Sequence, residues 1–304
     1  MQLLSWTLPL AAWLTAPFLA GVINRIKALF AGRRGQPLLQ GYYDLAKLLR
    51  KGAVYSRTTS PVLRLAPALI LAAMLLATCL IPWGGRRAPL AFSGDFILLA
   101  YLLGMVRFAT VLAALDTGSS FEGMGASREV QFAALAEPTF FLGMLLLVIQ
   151  SGRAGLSDMA GAIDLAAWRS APATLFLLTC AWMVLLLAEN ARIPVDDPNT
   201  HLELTMIHEV MILDVSGPDL GLIQYAAALK LWLFSALITN LSLPLRPENA
   251  WLQMGLFAGG TLLVAAVVGV IESVMARLRL LLVPKLLVSS GALIGTAIIM
   301  RLVL

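Results

Sequence analysis

The chain has 304 residues, 60% of them hydrophobic and 13% charged, with a mean hydropathy of +0.86. A soluble domain carries about 45–50% apolar and about 25% charged residues, so composition excludes the soluble domains that length suggests and points to one integral membrane domain, 1–304. The net charge of +5 lies beside apolar runs, which makes it a topology signal and not a nucleic-acid surface.

A helix needs about 20 apolar residues to cross about 30 Å of hydrocarbon. Runs of this kind lie near Leu3–Ile23, Leu65–Trp83, Phe96–Leu115, Phe132–Gln150, Ala173–Leu187, Ile223–Leu243, Leu252–Ile271 and Leu282–Leu304. The period-two alternation of a barrel is absent, and helices alone satisfy their backbone in lipid. The expected fold is an all-α integral membrane protein with about eight transmembrane helices. The first run has no basic segment before it, which predicts an uncleaved anchor with its N-terminus outside.

Loop one carries Arg25, Lys27, Arg33, Arg34, Lys47, Arg50, Lys51, Arg57 and Arg64. By the positive-inside rule it is cytoplasmic. The long cytoplasmic loops are then about 24–64, 116–131, 189–222 and 272–281, and both termini lie outside. The plainer outer loops hold Arg86, Arg87, Arg153, Arg169 and Arg246. Residues Leu38–Leu49 mix apolar and charged positions and suit an amphipathic interfacial helix.

Ionisable residues inside spans cost at least about 2.5 kcal/mol each and usually mark a pathway or a buried pair. Arg107, Glu137 and Lys230 lie roughly 13, 9 and 12 Å from the cytoplasmic ends of their spans, counted at about 1.5 Å per residue. One carboxylate and two cations thus share a layer, with Glu189, Glu272 and Asp116 nearer the surface. Burial and a nearby cation shift a carboxylate in opposite directions, which can leave a proton acceptor near working pH. The plain alternative is a static ion pair that fixes helix packing. Pro138, read as near a helix start, opens the turn beside Glu137 or simply begins the helix.

Seven of the 17 acidic residues fall between Glu189 and Asp219. Such a loop points to a soluble partner, a proton path, or both. Cys79 and Cys180 lie apart in apolar runs and make no metal site. His201 and His208 share a helical face at most and read as solvated or partner-facing. The Asn240-Leu241-Ser242 triplet lies at a span end and is discounted as a glycosylation site.

Four loop motifs carry a family resemblance. Arg33-Arg34-Gly35-Gln36-Pro37, with Gly41-Tyr42-Tyr43-Asp44, resembles the first cytoplasmic loop of the membrane subunit beside the hydrophilic arm of respiratory complex I. Asp116–Glu129, Glu189–Pro198 and Ala276–Arg279 resemble its later loops, in order. The short segment after the arginines, and Gly125-Ala126-Ser127-Arg128-Glu129, are similar to the formate hydrogenlyase and hydrogenase-4 branch, the group 4 membrane-bound nickel–iron hydrogenases.

The resemblance implies a membrane-anchoring and proton-coupling subunit of an energy-converting hydrogenase complex. Its partners would be hydrogenase large and small subunits, an iron–sulfur protein and antiporter-like membrane subunits, in a bacterial or archaeal cytoplasmic membrane. The nickel–iron centre and iron–sulfur clusters are expected in partners, with no cofactor in this chain. The family's polar channel maps onto Glu137, Glu189, Glu203 and Asp214, and less directly onto Asp44, Glu122, Glu129, Arg107, Lys230, Glu209 and Glu272. Partner docking is expected at Arg33, Arg34, Asp44, Glu122, Arg128, Glu129, Arg192, Asp196 and Asp197. The alternatives are a quinone-binding subunit of a complex I-like NADH dehydrogenase, with a lipid-open cavity beneath loop one, a stand-alone ion transporter, and a related complex whose large subunit lacks nickel ligands.

Overall fold

The computed structural model describes residues 5–84, 86–197 and 206–303. These residues form helices and no strands. Eight helical segments are long and apolar enough to cross a membrane, as expected. In chain order the helices are α1 (Thr7–Phe30), α2 (Gln40–Leu49), α3 (Pro61–Thr78), α4 (Asp95–Asp116), α5 (Ser120–Ser151), α6 (Leu156–Ala162), α7 (Leu165–Ser170), α8 (Pro172–Glu189), α9 (Gly217–Ser242), α10 (Ala250–Val274) and α11 (Val283–Val303). Short 3-10 turns cover Glu209–Ile212 and Leu280–Leu282.

α9 is the hub: it packs on α1, α2, α3, α8 and α10 and is the most buried span. Lipid is as apolar as leucine, so packing and polar contacts hold such helices together, more than hydrophobic burial. Gly143 of α5 illustrates this, because a Cβ there would overlap Trp182 of α8. Phe140, one turn earlier, stacks on the same indole.

Pro17 shapes one side of the hub. It continues α1 but has no N–H to offer the Trp13 carbonyl four residues back. The Tyr225 hydroxyl of α9 donates to that carbonyl at 2.6 Å, and Tyr42 of α2 donates to the next one, Leu14, at 2.5 Å. The first phenol fills the break, and the second seats amphipathic α2 against α1.

The connections sort to two ends. At one, Asp116 closes α4 and its Oδ2 accepts the Ser60 and Leu63 amides at the start of α3, at 2.8 and 3.3 Å. There too Tyr55 donates to Asp219 at 2.6 Å, and the Leu278 amide donates to the Pro194 carbonyl at 2.9 Å. Gly217 lies in the left-handed region, where the loop-one backbone at Gly52 leaves no space for a Cβ. At the other end, buried Asn240 joins the Pro82 carbonyl and Gly84 amide to α9, at 2.9 and 3.0 Å. Its burial agrees with discounting glycosylation.

Two readings change. Residues 120–131, expected within a loop, are the first turns of α5, so Glu122 and Glu129 stand on a helix. Pro138 therefore lies far inside a helix and not near its start. The connection before α8, expected as a plain loop, contains two short helices, one capped by Asp164 on the Ala167 amide at 2.8 Å.

Candidate functional site

The site is a chain of charges built from four helices and two loops. Arg107 of α4 is at its centre, with a side chain 9% exposed. Its Nε donates to Glu129 at 3.0 Å, one Nη to Glu189 at 2.6 Å, and the other Nη to Glu137. Glu129 and Glu137 are eight apart on α5, about 12 Å along its axis. The planar guanidinium fork reaches both.

The second oxygen of Glu189 lies 2.7 Å from Lys230 Nζ on α9. The second oxygen of Glu129 lies 3.2 Å from His208 Nε2. His208 Nδ1 faces Asp196 at 3.8 Å, too long for a hydrogen bond. Asp196 in turn accepts the Ile207 and His208 amides at 3.0 and 3.3 Å, and Arg277 pairs with it at 2.8 Å. The series is continuous from Lys230 through Glu189, Arg107, Glu129 and His208 to Asp196 and Arg277. It holds three fixed cations and four carboxylates, counting Glu137, so protonated His208 brings it to neutrality.

Two of these groups lie outside the spans. Burial opposes protonation of His208, but the Glu129 and Asp196 carboxylates outweigh it and raise its pKa. Burial pushes the Asp196 carboxyl upward, and His208, the Ile207 amide and Arg277 more than reverse this, holding it below the ordinary value.

Two voids adjoin the chain. One of about 10 Å³ lies among Arg107, Glu129, Glu189 and His208, about the space of one water molecule. The other, about 600 Å³, opens between α4 and α5 and has Arg107, Glu137 and Glu189 in its wall. Exposed Tyr101 and Phe108 flank it. Glu137 is 51% exposed there. Residues 24–64 contribute nothing to this cavity, so it is not the one the quinone reading places beneath loop one.

Arg107, Glu137, Glu189 and Lys230 therefore meet, with Glu189 and not Glu137 joining the two cations. Glu272, its side chain fully buried, forms a separate cluster with the partly exposed Lys27 at 2.7 Å and Arg192 at 3.5 Å. Asp214 is exposed, and its amide, not its carboxylate, meets buried Glu122 at 3.0 Å. Glu203 and His201 lie outside the described residues.

Several residues expected at a docking face are turned inward. Asp196 is 2% exposed, and Glu122 and Glu129 are also buried. Arg192 is held by Glu272, Arg128 donates to the Met206 carbonyl at 2.7 Å, and Asp197 is half-buried. Glu129, Arg192 and Arg128 each meet a buried partner that the linear order conceals. Arg33, Arg34 and Asp44 are exposed, Asp44 with a hydrogen bond from Gln40 at 2.9 Å. Sequence reasoning missed His208, Lys27 and Arg277 as members. Loop Arg277 follows buried Glu272 by five residues, but nothing local marks His208.

Among the described residues no group of three or more His, Cys, Asp or Glu is arranged to hold a metal ion. Residues 2–303 match the family described as NADH dehydrogenase. Formate hydrogenlyase subunit 4 of Escherichia coli (strain K12) is 30% identical over 292 residues, covering 91% of each chain. Hydrogenase-4 component C of the same organism is 32% identical, covering 75% of this chain and 71% of its own. An NADH-quinone oxidoreductase subunit of Syntrophobacter fumaroxidans (strain DSM 10017 / MPOB) is 25% identical, covering 88% of this chain and 81% of its own. A chain in the structure of the membrane-bound sulfane sulfur reductase, an archaeal respiratory membrane complex, superposes with a TM-score of 0.82 over 98% of both chains at 20% identity, a likeness of fold.

Proposed function

This chain belongs to the NADH dehydrogenase family, and on that footing we propose that it is the membrane-anchoring and proton-coupling subunit of an energy-converting hydrogenase complex of the formate hydrogenlyase or hydrogenase-4 kind. It makes no bond itself. It docks a nickel–iron and iron–sulfur arm at its basic end and passes charge changes there into the membrane, toward antiporter-like neighbours. The membrane is a bacterial or archaeal cytoplasmic one, with both termini outside.

The observation that carries this reading is the unbroken ionic series from Arg277 and Asp196 at the loop end to Lys230 and Glu189 inside the bundle. Isolated pairs would suffice for static packing alone. A relay needs neighbouring groups that share protons, and His208 supplies a titratable member between two carboxylates. A redox event in the docked arm that changes the charge near His208 gives the differential interaction that any conformational or protonation shift requires.

The test is Glu137→Gln in the assembled complex, in inverted vesicles that report both hydrogen production and proton uptake. Hydrogen production should persist while coupled proton movement falls. Full wild-type proton yield would make Glu137 structural only. A second reading, a quinone-binding subunit, would have to use the 600 Å³ cavity between α4 and α5, with its aromatic wall, in place of the cavity beneath loop one that this reading called for. It predicts that a short-chain quinone is reduced by the complex, and that narrowing the cavity by Gly104→Phe abolishes this.

A further inference from the structure

We propose that the end of the bundle opposite the basic loop carries a binding site for a phosphate-bearing anion, with the chemistry of an anionic phospholipid headgroup. A cavity of about 730 Å³ lies there, between the start of α1, the connection before α4 and the connection around Arg246. Three of the few arginines at this end, Arg86, Arg87 and Arg246, converge on it from two separate connections. Glu248 is the one carboxylate among the described lining residues.

The hydrogen-bonding groups around this space are lopsided. Arg86 uses its Nε on Gln253 at 2.8 Å, and the Gln253 amide nitrogen is committed to the Gly84 carbonyl. Arg87 is 76% exposed and touches Asp158 at 3.4 Å, where Arg153 competes at 3.5 Å. Arg246 spends its Nη atoms on the carbonyls of Ala160, Gly161 and Ile163 at the end of α6, the last two at 2.6 and 2.5 Å. Its Nε is buried with no partner. Trp83, 7% exposed, has an equally unpartnered Nε1, and it lines both this cavity and the smaller one adjoining it.

Among the described residues, the buried unmet side-chain groups of the cavity's lining are thus both donors. Buried donors are seldom left unsatisfied, so the fitting ligand is rich in acceptors and negatively charged. A phosphate group meets that description, and arginine binds it with paired N–H groups. Leu8, Ile81, Pro89 and Pro247 add an apolar wall to the same space. That wall suits the first methylenes of a lipid and is wasted on a small soluble anion. The cavity also lies at the helix ends, the depth at which headgroups sit.

The experiment uses the full chain, purified in detergent, delipidated and followed by native mass spectrometry. Phosphatidylglycerol and phosphatidylcholine are offered separately, and the thermal midpoint is measured with inorganic phosphate. The wild type should retain phosphatidylglycerol several-fold better than phosphatidylcholine. R86Q/R87Q should lose that preference, and R169Q, outside the cavity, should keep it. A phosphate-induced rise in the midpoint that needs Arg86 and Arg87, without lipid preference, assigns the site to a free anion. Equal retention of the two lipids with no phosphate effect overturns the proposal, as does a wild-type preference in R86Q/R87Q. Should the double variant fail to fold, Arg87→Gln at its exposed position carries the same comparison.

Discussion

Lys230 and Glu189 meet at 2.7 Å between α9 and the last residue of α8. The contact leaves the other Glu189 oxygen for Arg107 at 2.6 Å, so one carboxylate joins two buried cations from different helices. Neither cation would be tolerable alone at that depth.

Removing Arg107 leaves Glu129, Glu137 and Glu189 facing one another. Breaking a buried pair by deleting one partner costs about 3–5 kcal/mol. Arg107→Leu should therefore lower the thermal midpoint sharply or prevent accumulation of the chain. Arg107→Lys should fall between, since a single ammonium cannot reach three carboxylates. A wild-type midpoint for Arg107→Leu would show that the series does not hold the helices together.

The His208 pKa is raised in the fold, so its contribution to stability is complete below the unfolded value of about 6.5 and is lost as pH rises through the folded one. Asp196 has the opposite sign: its contribution is complete above about 3.9 and is lost as pH falls through its depressed folded value. Amide exchange of residues 206–216 should accelerate on the alkaline side of the His208 titration. His208→Gln should flatten that dependence while leaving the acid limb in place. An unchanged alkaline limb in the variant would remove His208 from the explanation.

The Tyr225 hydroxyl serves a carbonyl that Pro17 leaves unmet. Tyr225→Phe should cost about 1 kcal/mol, the usual worth of one hydrogen bond. In a Pro17→Ala background the backbone amide can take over, and the same change should cost much less. The coupling is read from a double-mutant cycle of thermal midpoints; additive effects would mean the phenol repairs nothing.

Docking is expected to rest on side chains that reach solvent. Arg33 and Arg34 do, whereas Asp196 is consumed by Arg277 and two amides. R33E/R34E should reduce recovery of the soluble arm with the membrane chain and leave its fold intact. Asp196→Lys should instead unfold the loop. Equal recovery of the arm with R33E/R34E and the wild type would move the docking face elsewhere.

The eight spans, amphipathic α2 and the gathering of basic residues in the first connection were legible in the linear chain, because each depends on local hydropathy and charge. So was the rarity of Arg107, Glu137 and Lys230 in apolar surroundings. Their pairing was not. Arg107 meets Glu189 because α4 and α8 are brought together by the packing of α5, and no periodicity encodes such a long-range contact. The inward turn of Glu122, Glu129 and Asp196 follows from the same cause. Whether a carboxylate in a charged stretch faces water or an arginine depends on the helices folded around it, and hydropathy averages over that choice.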